Sequence, residues 1–289
     1  MASLSKVQFA LRHPAEAIRF VLTRDRVRLD AVKLLDGPFH QPLDDLVAYL
    51  GQPKAQVATM TLQGSDLVRA NWLRKKPETV EQLHNWNENL PEYLFSLVRW
   101  NMHPSYLECL DMLQPERGGA CLVFGGGIGS EALHLAQQGN EVWYCDLQGS
   151  PVWKFAEWRA ARLHLPIHFT PEVSGEDRFD CIVAFNVFSV LAEEELEVIL
   201  RRIVSALKPG GRLYCNHDFL QRESHPQIYD HEKLWNELVA KLPVSKASDS
   251  RPAGSDERQY RCIYVKQRES ALNNSHLEDP DSRPGGPDG

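Results

Sequence analysis

The stretch "LVFGGGIGS", residues 122–130, decides the fold of this chain. An apolar run ends at three consecutive glycines, and a fourth glycine, Gly129, stands directly before a segment with helical periodicity. A strand that passes through glycines into a helix presents backbone N–H groups at a helix N-terminus, and it lets a ligand approach the main chain closely. The stretch therefore predicts a ligand-binding strand-loop-helix unit of an α/β domain, although a tight turn alone would also use glycines.

The spacing of these glycines restricts the ligand. Gly125, Gly127 and Gly129 form G-x-G-x-G, whereas the dinucleotide fingerprint requires glycine or alanine at position 130, where this chain has Ser130. No lysine follows the glycines, so the phosphate-binding G-x-x-x-x-G-K-[ST] loop is absent. Neither a dinucleotide nor a nucleoside triphosphate is favoured.

Asp146 stands at the C-terminal end of the next predicted strand. A carboxylate at that place can accept hydrogen bonds from both hydroxyls of a ribose. The other reading of Asp146 is a solvated helix cap. Taken together, the loop and the acid predict a site for an adenosine-type nucleoside that does not need a pyrophosphate.

Short apolar runs alternate with amphipathic helices beyond residue 118. Runs without internal alternation, each followed by a crossover helix, predict a parallel sheet covered on both faces. The predicted strands are 120–125, 141–146, 167–169, 180–186 and 212–218. The segment 257–267 alternates apolar and polar residues, which favours an added antiparallel strand.

Three zones follow from these patterns. Residues 1–114 have helical apolar spacing broken at glycine and proline, which predicts an all-helical N-terminal cap. Residues 115–267 form the predicted catalytic domain. Residues 268–289 contain almost nothing apolar, so we expect a disordered tail.

Composition limits the partners. The 289 residues carry a formal net charge of -7, which disfavours nucleic acid as a partner. The six cysteines form no C-x-x-C pair and no metal-ligand spacing, which favours a reducing cytoplasm and predicts no metal site. No apolar stretch is long enough to span a membrane, and we see no signal-peptide core. We expect a cytoplasmic protein.

Three blocks occur in a characteristic order. They are "ACLVFGGGIGSEALHLAQQGNEVWYCDLQGSPVWKFAEWRA" (120–160), "DRFDCIVAFNVFSVL" (177–191) and "LKPGGRLYCN" (207–216). In order and spacing the chain resembles the class I S-adenosylmethionine-dependent methyltransferases over about residues 118–218. The resemblance implies a Rossmann-like, seven-stranded, mostly parallel sheet flanked by helices, with an N-terminal helical cap over the carboxyl ends of the strands and S-adenosylmethionine as cofactor.

The resemblance also implies roles for individual residues. The glycine loop would lie against the methionine part of the cofactor, Asp146 would hold the ribose hydroxyls and Leu147 would pack on the adenine. Asn186 would lie near the amino-acid end or the methyl group. The implied cofactor-binding residues are Gly125, Gly126, Gly127, Gly129, Asp146, Leu147 and Asn186.

Two positions depart from the family pattern. Many members have an acidic residue two positions before the first glycine, where it can contact the loop or the cofactor's amino group; this chain has Val123. Many small-molecule members have an acid, two apolar residues, Glu and His after the fourth strand, where this chain has 186–190, "NVFSV". A protein that binds the cofactor without turnover therefore remains an alternative.

Candidate substrate-facing residues come from two regions. His217 and Asp218 end the predicted fifth strand and are candidate proton acceptors, or else a hydrogen-bonded pair in a loop. Tyr93 and Trp100 are spaced to share one helix face, and we expect one of them to meet cofactor or substrate. His225 could line the pocket mouth or lie in a surface loop.

The leading hypothesis is a methyltransferase that acts on a small molecule or a modified peptide. Its first rival is the cofactor-binding protein without turnover. An NAD(P)-dependent oxidoreductase is disfavoured by Ser130 and by "LKPGGRLY". A nucleic-acid methyltransferase is weakened by the net charge and by the lack of an N-P-P-Y or D-P-P-Y motif after Asn186. The sequence leaves the acceptor and the oligomeric state open.

Overall fold

The computed structural model describes residues 41–115, 117–219, 221, 223, 225–250 and 259–268. Predictions for residues 1–40 and for the tail beyond 268 lie outside this part of the chain. The helices are α1 (Gln41–Leu50), α2 (Lys54–Lys75), α3 (Val80–Glu88), α4 (Glu92–Asn101), α5 (Pro104–Asp111), α6 (Ser130–Gln137), α7 (Pro151–Arg162), α8 (Glu193–Ala206) and α9 (Glu232–Lys241). The strands are β1 (Ala120–Phe124), β2 (Glu141–Cys145), β3 (Ile167–Thr170), β4 (Phe179–Phe185), β5 (Leu207–Asp218), β6 (Val244–Ser250) and β7 (Gln259–Lys266).

The sheet has seven strands in the order β3-β2-β1-β4-β5-β7-β6. β1 to β5 pair in parallel, and β7 runs antiparallel to both β5 and β6. This arrangement confirms the predicted Rossmann-like fold and its antiparallel strand. β6 was not among the individually predicted strands, because "VSKASDS" is polar and pairs only with β7 at the edge of the sheet.

The strands are apolar because helices bury both faces of the sheet. Successive side chains of a strand point to opposite faces. Leu122 accordingly belongs to a cluster packed under α8 and α9, whereas its neighbours Cys121 and Val123 belong to the cluster under α6 and α7. The buried face therefore explains why Val123 is valine: its side chain is 2% exposed and packs in the core.

The cap helices rest on the same domain through their own apolar cluster. Leu43 of α1 and Val98 of α4 are fully buried, and they share this cluster with Ile128 of the glycine loop and Phe155 of α7. α2 approaches α4 closely at Gly64, where a Cβ atom would lie 2.5 Å from the backbone nitrogen of Ser96. The cap is thus packed directly on the loop that the sequence marks as a binding element.

All six cysteines are free and buried. In the described part of the chain, no group of three or more His, Cys, Asp or Glu side chains could hold a metal ion. No described helix combines the length and apolarity that crossing a membrane requires.

Candidate functional site

A cavity of about 510 Å³ lies between the carboxyl ends of β1, β2 and β4 and the cap helices α3 and α4. This volume is within the range of small-molecule sites. The glycine loop lines it through Gly125, Gly126 and Gly127, and Asp146 and Asn186 line it beside the loop. Open parallel sheets bind ligands at this edge, so the sequence-predicted cofactor elements meet in one place.

The glycine loop has little or no room for a Cβ atom at two of its positions. Gly127 has φ +50°, a left-handed conformation that favours glycine, and it faces the cavity, where a Cβ atom would lie 3.2 Å from Leu97. At Gly126 a Cβ atom would overlap the ring of Tyr144 at 2.5 Å. Tyr144 holds the loop from beneath, because its hydroxyl donates to the carbonyl of Gly127 at 2.7 Å.

Asp146 is fixed by backbone donors. The N–H of Gly127 donates to Oδ2 at 2.7 Å, and the N–H of Leu147 donates to Oδ1 at 2.7 Å. Each carboxylate oxygen can accept a second hydrogen bond, so one acceptor position per oxygen is left for a ligand. Burial raises the pKa of Asp146 to about 6, which leaves the group largely ionised at neutral pH.

Tyr93 and Trp100 both line the cavity from α4. Burial raises the pKa of Tyr93 to about 12, and the charge of Asp146 adds to this rise. The tyrosine hydroxyl therefore lies in the electrostatic field of the carboxylate, on the side of the cavity opposite the sheet.

Asn186 follows β4 in a left-handed conformation, with φ +54°. Asparagine tolerates this conformation better than most residues, and such backbone strain concentrates at functional sites. Its N–H donates to the backbone carbonyl of Asn216 at 3.0 Å and to the side-chain Oδ1 at 2.9 Å. The buried Asn216 of β5 thus holds Asn186 at the cavity wall.

Glu131 is a lining residue that the sequence analysis missed. It is the second residue of α6, it lines the cavity, and it is only 8% exposed. Burial raises its pKa to about 7. In the sequence it looks like an ordinary acid in the first turn of a helix, where the helix dipole favours negative charge, so nothing in the sequence indicated its burial.

A histidine–glutamate pair was missed as well. His84 of α3 and Glu195 of α8 both line the cavity, with Nε2 of the imidazole 2.8 Å from Oε1 of the carboxylate. The other carboxylate oxygen accepts from the N–H of Ala192 at 3.4 Å. The two side chains are 111 positions apart, so no local sequence pattern could have joined them.

The predicted proton acceptors His217 and Asp218 are the last two residues of β5. β5 continues in register with β7 to its end, so these residues pair with Tyr260 and Gln259 within the sheet instead of starting a loop above the cavity. Asp218 and His225 are not among the described residues that line the cavity.

The strand order and the reversed β7 define a Rossmann-like domain, and the glycine loop and Asp146 line one cavity of it. A family model described as a methyltransferase domain matches residues 122–213, which span β1 to β5. Over these residues the chain is therefore similar to a methyltransferase domain.

The solved structures to which the chain is similar are distant in sequence. A 1,6-didemethyltoxoflavin-N1-methyltransferase from Burkholderia thailandensis, with S-adenosylhomocysteine bound, is 18% identical over 70% of this chain and 88% of its own, with a TM-score of 0.49. A S-adenosylmethionine-dependent methyltransferase from Mesorhizobium loti is 12% identical over 56% of this chain and 97% of its own, with a TM-score of 0.48. No curated protein matches the chain.

Proposed function

We propose that the cavity under the cap binds S-adenosylmethionine and that the protein transfers the methyl group to a small-molecule acceptor. The observation that carries the proposal is the joint lining of one cavity by the glycine loop, by Asp146 and by the cap helices. A small acceptor fits this proposal better than a folded one, because the acceptor must share about 510 Å³ with the cofactor.

The residues present suit this cofactor. Asp146 keeps one acceptor position on each carboxylate oxygen, which matches the two hydroxyls of a ribose. Gly127 leaves the space that a Cβ atom would fill, so a ligand can touch the backbone of the loop. Leu147 lines the same end of the cavity and would pack on the adenine. Asn186 would lie near the amino-acid end of the cofactor or near its methyl group.

For methyl transfer the protein must align the acceptor atom with the methyl group and, for an oxygen or nitrogen acceptor, accept one proton. The bound cofactor supplies an activated methyl group on a sulfonium, so the cavity must hold an acceptor atom in line with it. For an oxygen or nitrogen acceptor, the pair formed by His84 and Glu195 is our candidate proton acceptor, because it lines the cavity and the carboxylate orients the imidazole. This assignment replaces His217 and Asp218 as the first choice.

Calorimetric titration with S-adenosylmethionine, S-adenosylhomocysteine and NAD⁺ tests the cofactor. We expect both sulfur nucleosides to bind and NAD⁺ not to bind. Binding of NAD⁺ alone would contradict the proposal and favour an oxidoreductase, whereas binding of none of the three would reject the cavity as a nucleoside site.

Turnover separates an enzyme from a protein that only binds the cofactor. Formation of S-adenosylhomocysteine is measured with a panel of small hydroxyl, amine and thiol acceptors. We expect acceptor-dependent product that falls strongly in His84→Gln while the affinity for S-adenosylhomocysteine is kept. Product formation that is unchanged in His84→Gln would reject the imidazole as proton acceptor.

A further inference from the structure

We infer that Glu131 binds the α-ammonium group of the cofactor's amino-acid part, in place of the acid that this chain lacks at position 123. The inference rests on the proposed function and names the residue that recognises one end of the proposed ligand. It begins from a buried carboxylate that forms no salt bridge within the described residues.

The position of Glu131 suits this role. Its helix begins directly after the glycine loop, and its side chain lines the same cavity as Asp146. The charge of Asp146 contributes to the raised pKa of Glu131, so the two carboxylates are close enough to interact. One ligand that offers hydroxyl groups to Asp146 and a cation to Glu131 would satisfy both.

The protein itself does not neutralise Glu131. The cation that acts on it is Arg159, and its guanidinium is already committed elsewhere. Nε donates to Asp45 at 2.9 Å, while Nη1 donates to the carbonyl of Ile128 at 2.7 Å and to the hydroxyl of Ser130 at 2.8 Å. Within the described residues no cation forms a salt bridge with Glu131. A buried carboxylate without a salt-bridge partner is costly, and a ligand ammonium would reduce that cost.

Two further polar groups bear on the inference: one lines the cavity, and the other acts on Glu131. Oδ1 of Asn101, a residue that lines the cavity, is buried and has no hydrogen-bond partner among the described residues. The buried hydroxyl of Tyr106 lies close enough to Glu131 for the carboxylate to raise its pKa, yet it too makes no hydrogen bond of ordinary geometry there. An ammonium group has three N–H donors, and the Glu131 carboxylate and the Asn101 amide oxygen, which line the same cavity, can both accept from it.

The direct test compares two ligands that differ only at the amino-acid end. S-Adenosylhomocysteine carries the ammonium group, whereas 5′-methylthioadenosine keeps the nucleoside and the thioether but lacks the amino acid. Each is titrated into the wild type, into Glu131→Gln and into the control Glu157→Gln, which changes an exposed glutamate of α7.

Glu131→Gln should weaken S-adenosylhomocysteine binding about tenfold or more, since hydrogen bonds to charged groups are the stronger ones. Binding of 5′-methylthioadenosine should stay within about twofold, and Glu157→Gln should change neither. Equal weakening of both ligands, or no weakening of either, would overturn the inference while leaving the proposed cofactor intact. If neither ligand binds the wild type, the inference and the proposed function both fail.

A pH series on the wild type tests the inference without a substitution. Tyr106 from α5, Arg159 from α7 and Asp146, which directly follows β2, act on Glu131, whose pKa of about 7 means that it is largely protonated at low pH. The ratio of the affinity for S-adenosylhomocysteine to that for 5′-methylthioadenosine should rise from about pH 6 to about pH 7.5, where an amino acid's ammonium stays largely protonated. Titration of Asp146 affects both ligands and cancels in the ratio. A flat ratio would contradict the inference.

Discussion

Asp45 of the cap and Arg159 of the sheet domain form a buried ion pair, with Oδ2 of the carboxylate 2.9 Å from Nε of the guanidinium. The same guanidinium donates to the carbonyl of Ile128 in the glycine loop at 2.7 Å. The pair therefore connects the position of the cap to the backbone that we propose to face the cofactor. Arg162 contacts the same carboxylate at 3.3 Å from a more exposed position.

Removal of the Asp45 carboxylate, the cap side of this ion pair, should lower the free energy of unfolding strongly. Asp45→Ala leaves the Arg159 guanidinium buried without its counter-charge, and breaking a buried pair in this way costs about 3 to 5 kcal/mol of the free energy of unfolding. Urea unfolding gives the value. Glu197→Ala, which breaks the exposed pair of Glu197 with Arg201, serves as the control and should cost about 0.5 kcal/mol. Equal losses in the two variants would show that the buried pair does not fasten the cap.

Asp146→Asn should lower the affinity for S-adenosylhomocysteine by about 1.5 to 3 kcal/mol. In the wild type, a backbone N–H donates to each carboxylate oxygen. The asparagine amide puts an NH₂ donor in the place of one of these oxygens, so two donors face each other there and one acceptor is lost. Calorimetry measures the change. Asp66→Asn, at an exposed position of α2, is the matched control and should bind as the wild type does. An unchanged affinity in Asp146→Asn would mean that the ribose lies elsewhere.

Alanine substitutions at two glycines distinguish the effect of backbone strain from the effect of lost contact with the ligand. Gly127 and Gly139 both have positive φ, +50° and +86°, so alanine at either position should cost about 1 to 2 kcal/mol of stability. Only Gly127 lines the cavity. Gly127→Ala should therefore also weaken the binding of S-adenosylhomocysteine, whereas Gly139→Ala should leave it unchanged. Comparable binding by both variants would contradict close approach of the ligand to the loop.

The thiols should react slowly in the folded protein. All six cysteines are buried, and burial raises the pKa of Cys109 and of Cys145 to about 12, so the reactive thiolate is scarce. With an aromatic disulfide reagent at about pH 8, we expect less than one equivalent of fast reaction in buffer and six equivalents in urea. Rapid reaction of one or more thiols in buffer would show that a strand is less buried than described.

Local sequence signals predicted much of the fold. The apolar runs at 120–125 and 180–186 became β1 and β4 because strands covered on both faces need no polar alternation. The edge strand β6 differs, because Ser245, Lys246 and Ser248 are exposed and the strand is held by its pairing with β7. A search of the sequence for apolar runs cannot detect such a strand.

For the candidate site, too, local sequence signals predicted some residues and missed others. The glycine loop and Asp146 are adjacent to strand ends, so their place follows from the sequence once the sheet is known. His84 and Glu195 meet across the cap and the sheet domain, and the burial of Glu131 depends on helices contributed by both. β5 ends at Asp218, where the sequence predicted its end, and the roles of His217 and Asp218 stay predictions.

A crystal structure of the protein with S-adenosylhomocysteine would test the central claim most directly. The account predicts the ligand in the cavity under the cap, with both ribose hydroxyls within hydrogen-bond distance of the Asp146 carboxylate and the thioether beside Gly127. A ligand that lies outside this cavity, or whose ribose does not contact Asp146, would contradict it.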